Sequence, residues 1–251
     1  MAYAIITGAS KGLGAATAKQ LLSEGVNIIS VSRSENEELK KQAEVDNGKY
    51  QHYTCNLGSS SEVQSVFKEM ADTVFGKEKE VVYLINNAGM VDPIETAGRL
   101  DAEGTEANVN VNLLAPMIIS NLFLEKVENS DARLVIANVS SGAGSRPIQG
   151  WSVYCSTKAG INMFTQTVAL ELENRSSKHR VFAFSPGIMD TDMQSTIRSS
   201  SKSAFNDIET FKKYKEEGML RDAETVAGAL VKVLKSNDIE NGKIYQINAL
   251  L

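Results

Sequence analysis

The sequence predicts an α/β fold: a doubly wound parallel sheet of seven strands with helices on both faces. Three observations lead there. Short apolar runs alternate with helix-forming segments along the whole chain. The first pair closes a strand, glycine turn, helix and strand within about 30 residues, the length of a βαβ unit. Polar di- and tripeptides recur at the carboxyl ends of the apolar runs, which is where open parallel sheets bind ligands.

Ala2 to Thr7 is a short apolar run ended by Gly8 and reads as a strand buried on both faces. Gly8-Ala-Ser10-Lys11-Gly12-Leu13-Gly14 then turns the chain into the helix-forming segment from Ala15 to Leu22, which Gly25 stops. Val26 to Ser32 is the second strand, and residues 35–46 form a charged helix. Tyr50 to Leu57 is the third strand, followed by a helix from Ser60 to Val74 whose buried face carries Val63, Val66, Phe67 and Met70. Val81 to Ile85 is the fourth strand, ending in Asn86-Asn87-Ala88-Gly89. A long helix over about 105–128 is expected to bend at Pro116. Arg133 to Val139 is the fifth strand, ending at Ser140-Ser141. The helix that contains Tyr154 and Lys158 runs on through Ile161, Phe164, Val168 and Leu172. Arg180 to Phe184 is the sixth strand, Ala223 to Leu234 a late helix, and Lys243 to Asn248 the seventh strand.

Composition limits the function classes. A chain of 251 residues with 42% apolar and 23% charged residues buries a large core without disulfides or metals. With no linker, composition shift or repeat, residues 1–251 are expected to form one domain. The net charge of −5 argues against nucleic acid, whose phosphates need basic patches. Two cysteines and two histidines fit neither a zinc site nor a disulfide framework, so no metal and a cytoplasmic location are expected. The N-terminus shows no basic leader followed by a long apolar core. Leu113 to Leu124 is broken by polar residues and reads as too short to span a bilayer, so no membrane partner is expected.

The glycine turn sits where a strand enters a helix. Glycines let backbone approach a pyrophosphate closely, and the free N–H groups of the helix start attract its charge. An NAD site commonly has an acid at the end of the second strand, to bind the ribose hydroxyls. Here the residues are Ser32-Arg33-Ser34, with Lys11 in the facing turn, so two cations suit a ribose phosphate and NADPH/NADP+ is the expected cofactor. Asn87-Ala88-Gly89 offers a flat surface for the adenosine or ribose, and Asn56 and Leu57 are candidates for the adenine edge.

Tyr154 and Lys158, four residues apart, share one helix face. Free tyrosine has a pKa of about 10. The neighbouring ammonium is expected to lower it, which would make the phenol an acid/base near neutral pH. Ser141, at the end of the fifth strand, is placed to bond a substrate oxygen.

Together these motifs resemble the short-chain dehydrogenase/reductase family, whose fold is Rossmann-like, over nearly the whole chain. The resemblance rests on Thr7-Gly8-x-x-x-Gly12-x-Gly14, Asn86-Asn87-Ala88-Gly89, Asn112, Ser141, Tyr154-x-x-x-Lys158, and Pro186-Gly187 with Thr191. It implies hydride transfer from a nicotinamide cofactor, with Tyr154 as acid/base, Ser141 on the carbonyl oxygen and Lys158 bonded to the nicotinamide ribose. It also implies Asn112 holding a water in a proton relay, and cofactor contacts from Pro186, Gly187, Ile188 and Thr191. Asn56 departs from the aspartate common near the adenine in relatives.

Pro186 to Gln194 and Tyr214 to Leu220 resemble the sepiapterin reductase branch, which bacterial benzil reductases also resemble. The chain ends at Ile247-Asn-Ala-Leu-Leu251 without a counterpart of the acidic residue that holds the pterin in animal sepiapterin reductases. The expected function is therefore NADPH-dependent reduction of a ketone, foremost a vicinal dicarbonyl such as a benzil-type diketone. Sepiapterin reduction, a non-catalytic NADP(H)-sensing scaffold and reduction of acyl-carrier thioesters are the alternatives. Residues 190–218, with Phe205, Ile208, Phe211 and Tyr214 at helical spacing, read as a lid-like segment closing an apolar wall. Trp151 and Met193 are candidates for the substrate pocket. The family habit implies a homodimer or homotetramer, with helices around 105–128 and 154–173 as the contact.

Overall fold

Strand β1 (Ala2–Thr7) alternates its side chains between two cores, Ala4 and Ile6 facing one and Ile5 the other. That is why the run is continuously apolar: both faces of the sheet are covered. A computed structural model describes residues 2–45, 48–75 and 81–251. It contains one sheet of seven parallel strands in the order β3-β2-β1-β4-β5-β6-β7. The other strands are β2 (Asn27–Ser32), β3 (Tyr50–Thr54), β4 (Val81–Asn86), β5 (Arg133–Val139), β6 (Arg180–Ser185) and β7 (Ile244–Gln246). The chain leaves β1 outward through β2 and β3, then crosses back to β4. The topological switch thus falls between β1 and β4, above which the glycine turn and Asn87-Ala88-Gly89 meet.

Helices α1 (Gly12–Ser23), α2 (Glu37–Val45) and α9 (Ala223–Leu234) cover one face, burying Leu21, Leu39 and Leu230 among others. On the other face lie α3 (Ser60–Phe75), α5 (Ala115–Val127) and α6 (Ser152–Asn174), with Phe67, Phe123 and Leu172 in its core. The parallel doubly wound architecture expected from the alternation is what the structure contains.

Several boundaries differ. The third strand stops at Thr54, so Asn56 and Leu57 follow it in a turn; the Asn56 side chain accepts a hydrogen bond from the Gly58 N–H and breaks the strand. The second helix ends at Val45, and Asp46, also expected in it, lies outside the described residues. The seventh strand ends at Gln246, where the chain tightens into a 3-10 turn over Ile247–Ala249.

The long central helix begins earlier than expected, as α4 (Ala102–Val109), and joins α5 through a π-helical turn over Asn110–Leu114. The irregularity is this turn rather than a bend at Pro116. Proline has no N–H to offer the Asn112 carbonyl four residues back. The Ala115 N–H bonds Asn110 five residues back, so one widened turn absorbs the defect and Pro116 sits in the first turn of α5. The joined run Ala102–Val127 is 26 residues, longer than the Leu113–Leu124 stretch taken alone, and by length and composition it would pass for a membrane-crossing helix. Asn112, Ile119 and Phe123 of this run are buried in the protein, and the last two pack in the sheet's own core.

Between β6 and α9, the segment expected as a lid contains α7 (Asp192–Ser199) and α8 (Ile208–Glu216). Phe205 precedes α8 instead of joining it, yet packs with Ile208 and Phe211 in a third apolar cluster that includes Trp151 and Tyr154.

Candidate active site

The glycine turn is held by packing at its base. Gly14 lies against the turn so closely that a Cβ there would stand 2.4 Å from the Gly8 carbonyl oxygen and 2.5 Å from Asn87 Nδ2. Asn87 Nδ2 donates to the carbonyls of Thr7 and Gly8 at 2.9 and 3.2 Å, and Thr7 Oγ1 accepts from the N–H groups of Asn87 and Ala88 at 3.0 and 3.1 Å. Thr7 and Asn87 therefore stitch the ends of β1 and β4 together. Lys11, at the start of α1, makes no side-chain cap, so the first N–H groups of the helix remain available to an anion. A bare, uncapped helix start beside glycines is a fit for a dinucleotide pyrophosphate. Ser10 is tied to the end of β2 by Asn36, whose Nδ2 donates to its carbonyl at 3.0 Å.

The two cations of the proposed phosphate site are not brought together by their own contacts. Arg33 is exposed at the end of β2, while the Lys11 ammonium is ion-paired with Asp192 at the start of α7. An acid two residues beyond Asp190 provides a closer partner than any group on β2. Leu57 is buried in the core and Asn56 is exposed. Pro186 follows β6 and leads into Gly187 and Ile188. From there the chain runs beside Arg221: its N–H bonds the Ile188 carbonyl at 3.1 Å, and its carbonyl accepts the Asp190 N–H at 3.0 Å. Thr191 approaches the glycine turn, its Cγ2 lying 3.7 Å from where a Gly12 Cβ would be. Arg221 carries no motif signal in the sequence.

Ser141, Tyr154 and Lys158 do converge. Ser141 is extended at the end of β5, caps the short turn after it through Ala143 N–H at 3.2 Å, and has its hydroxyl near enough to the Tyr154 phenol to favour the phenolate. Tyr154 and Lys158 occupy the buried side of the first two turns of α6, only 6% and 4% exposed. Lys158 Nζ donates to the Val139 carbonyl at 2.8 Å and lies 5.7 Å from the centre of the Tyr154 ring. A Cβ on Gly89 would crowd Asn112 Oδ1 at 3.2 Å and lie in ordinary contact with Lys158 Nζ at 3.6 Å.

Burial reverses the expected titration of the pair. It pushes the Tyr154 phenol up to about 12, against the lowering effect of the Ser141 hydrogen bond. It pushes the Lys158 ammonium down to about 8. The expectation that Lys158 lowers the phenol is corrected: removing both groups from water disfavours both charged forms, and that effect dominates. Tyr154 is thereby held protonated at neutral pH.

Asn112 is fully enclosed, and its side chain is a clamp. Oδ1 accepts from the Met90 N–H at 2.9 Å; Nδ2 donates to the Met90 carbonyl at 2.7 Å and to Asn108 Oδ1 at 2.7 Å. Thr157, on α6 beside Lys158, donates to the same Asn108 oxygen at 3.1 Å. Asn108 and Thr157 were not anticipated; the i,i+4 spacing of Asn108 and Asn112 was the available signal.

Trp151 and Met193 both lie in the third cluster with Tyr154. The loop before Trp151 is drawn inward at Gly150, whose φ is +84° and whose Cβ would stand 2.1 Å from the Ala204 carbonyl oxygen. Only glycine meets both conditions. Among the described residues no cluster of metal-ligating side chains exists, and both cysteines are free thiols.

A switch-point cradle for a dinucleotide next to a buried phenol–ammonium–hydroxyl set defines a nicotinamide-dependent oxidoreductase of the Rossmann type. A family profile described as short chain dehydrogenase matches residues 2–202. Benzil reductase ((S)-benzoin forming) of Bacillus cereus is 40% identical over 99% of this chain and 100% of its own length. Sepiapterin reductase of Bos taurus is 28% identical over 95% of this chain and 91% of its own. A crystal structure of a short chain dehydrogenase/reductase from Saccharomyces cerevisiae superposes with a TM-score of 0.83 at 25% identity, covering 100% of this chain and 98% of that one. The chain belongs to the short chain dehydrogenase family. It is an oxidoreductase acting between C=O and CH–OH groups.

Proposed function

We propose that this protein is an NADPH-dependent carbonyl reductase whose substrate is a vicinal dicarbonyl, a benzil-type diketone. The observation that carries the reading is the buried Tyr154 phenol, with the Ser141 hydroxyl beside it and Lys158 Nζ 5.7 Å from its ring centre. The full-length likeness to benzil reductases supports the substrate class. The whole chain, 1–251, acts as one dinucleotide-binding and catalytic domain, with residues 190–218 as its lid.

When bound, NADPH would supply the hydride that reduces the carbonyl carbon. Tyr154 donates its phenolic proton to the carbonyl oxygen, and the product is an alcohol. The phenol carries its proton at neutral pH, the form a general acid needs. Ser141 positions and polarises the oxygen, and Lys158 provides the positive charge that steadies the phenolate left behind. Asn112 anchors Met90 and the end of β4 beside Lys158. The turn Gly8, Ser10, Gly12, Leu13 and Gly14 would hold the pyrophosphate; Lys11, Arg33 and Ser34 would hold the ribose phosphate. Asn56, Leu57, Asn87, Ala88 and Gly89 would flank the adenosine, and Pro186, Gly187, Ile188 and Thr191 the nicotinamide end. Met193 and Trp151 form the substrate wall.

Helices α4–α5 and α6 present Val109, Leu114, Met117, Met163 and Leu170 to solvent, an apolar set suited to a second copy of the chain. A homodimer or homotetramer through this face, in the cytoplasm, completes the proposal.

The test is NADPH oxidation with benzil, sepiapterin and a simple ketone. Preferred turnover of benzil supports the reading. Preference for sepiapterin would favour the alternative drawn from the bovine relative. Cofactor binding without turnover of any carbonyl would favour a sensing scaffold.

A further inference from the structure

Tyr154, Lys158 and Asn162 recur at intervals of four along α6 and so share one face of it. That side of the helix is fastened to the carboxyl end of β5 residue by residue. Asn138 Nδ2 donates to Thr165 Oγ1 at 2.9 Å, the Val139 carbonyl accepts from Lys158 Nζ at 2.8 Å, and Ser140 Oγ donates to Asn162 Oδ1 at 2.6 Å. Ser141 is the next residue of the chain. The turn beyond it closes back on the same helix. Gly144 N–H donates to the Ser141 carbonyl at 3.0 Å, and a Cβ on Gly144 would stand 2.7 Å from both the Lys158 carbonyl oxygen and Asn162 Nδ2.

Asn138, Ser140, Asn162 and Thr165 are all buried, Asn162 the most exposed of them at 7%. On stability alone asparagine is a poor choice for the buried side of a helix, because its amide loses water and its side chain competes with the backbone. Leucine and alanine in place of Asn162 and Ser140 can be close to neutral in stability, since neither leaves a polar partner unpaired. What the pair adds is direction. The Ser140–Asn162 bond fixes the chain one residue before the Ser141 hydroxyl, on the helix whose first two turns carry Tyr154 and Lys158. A hydroxyl that must meet a substrate oxygen beside the phenol tolerates little displacement: a shift of about 1 Å can cost about a hundredfold in rate.

We infer that Asn162 is a positioning residue for the reduction: by holding Ser140 it sets where the Ser141 hydroxyl stands relative to Tyr154, and it acts on catalysis only through Ser141. This rests on the roles proposed above for Ser141 and Tyr154.

The experiment follows NADPH oxidation with whichever of benzil, sepiapterin and acetophenone the wild type reduces fastest. It compares Asn162→Leu and the double variant Ser140→Ala/Asn162→Leu, each with Ser141 intact and with Ser141→Ala. With Ser141 intact, Asn162→Leu is expected to lower kcat about tenfold or more and to change KM by less than about threefold. The double variant is expected to melt near the wild-type temperature and to keep the loss in kcat. In the slowed Ser141→Ala protein, Asn162→Leu should subtract less than about twofold, because the group it acts through is already gone. The same fold loss with and without Ser141, or a kcat restored together with stability in the double variant, would reduce Asn162 to a packing role and overturn the inference. So would an unslowed Asn162→Leu beside a slowed Ser141→Ala, with the proposed role of Ser141 left standing. A wild-type kcat in Ser141→Ala, or a wild type that reduces none of the three carbonyls, would overturn the proposed site chemistry and this inference with it.

Discussion

Lys11 of the glycine turn is ion-paired with Asp192, the first residue of α7, joining the cofactor cradle to the segment over the substrate side. Both side chains are largely exposed, and an ion pair in that setting is readily exchanged for a better anion. A ribose phosphate is such an anion, presenting more charge to Lys11 than one carboxylate does.

Removing Asp192 is therefore expected to help the phosphorylated cofactor. Asp192→Asn should lower KM for NADPH by a few fold and leave NADH unchanged, whereas Lys11→Ala and Arg33→Ala should raise KM for NADPH selectively. Steady-state kinetics with both cofactors decides this. An unaltered NADPH constant in Arg33→Ala would remove the phosphate site from the β2 end.

Tyr154→Phe retains the ring that Trp151 packs against and deletes the proton. Turnover is expected to fall by about two to four powers of ten, the usual contribution of a positioned general acid. NADPH affinity, measured by fluorescence titration, should stay near wild type. Near-normal turnover would move the acid to another group.

The pH profile of reduction follows from the two buried groups. Tyr154, pushed up to about 12, keeps its proton across the working range. Lys158, with its pKa pushed down to about 8, loses its charge as pH rises through that value. Turnover should then decline above about pH 8 and be level below it. Stability should respond in the opposite sense. The unfolded chain holds the lysine proton up to its ordinary 10.5, so from about 8 to 10.5 it binds more protons there than the folded chain. This lysine's contribution to stability therefore grows with pH over that window. Tyr154 contributes the reverse, between 10 and about 12. Lys158→Met should abolish this gain in stability between pH 7 and 9, read by thermal melts at both values.

Gly14→Ala should fail at the cradle. Its Cβ would meet the Gly8 carbonyl oxygen at 2.4 Å, and both are backbone, so the turn must shift. A stability loss of about 1–3 kcal/mol is expected, as for other overpacked sites, together with loss of NADPH binding. Gly25→Ala is the control. Its φ is +78° and nothing lies within 4 Å of the new Cβ, so it should cost about 1–2 kcal/mol of backbone strain and leave cofactor affinity intact.

The alternation of strands and helices, the glycine turn and the Tyr154–Lys158 pair were legible because each depends on local pattern. A continuously apolar run such as Ala4-Ile5-Ile6 needs cover on both faces, and a strand entering a helix through glycine has few topologies open to it. The four-residue spacing of Tyr154 and Lys158 places them on one face of any helix. The protonation states of that pair depended on something else. How far each group is withdrawn from water is set by Val139, Gly89 and the aromatic wall, which come from distant parts of the chain. The pairing of Lys11 with Asp192, the π-helical turn around Asn112, the clamp from Asn108 and Thr157, and the bond from Ser140 to Asn162 arise in the same way. Periodicity and motif spacing act over a few residues; desolvation and side-chain partnership act across tens to hundreds, and only the folded chain brings those residues together.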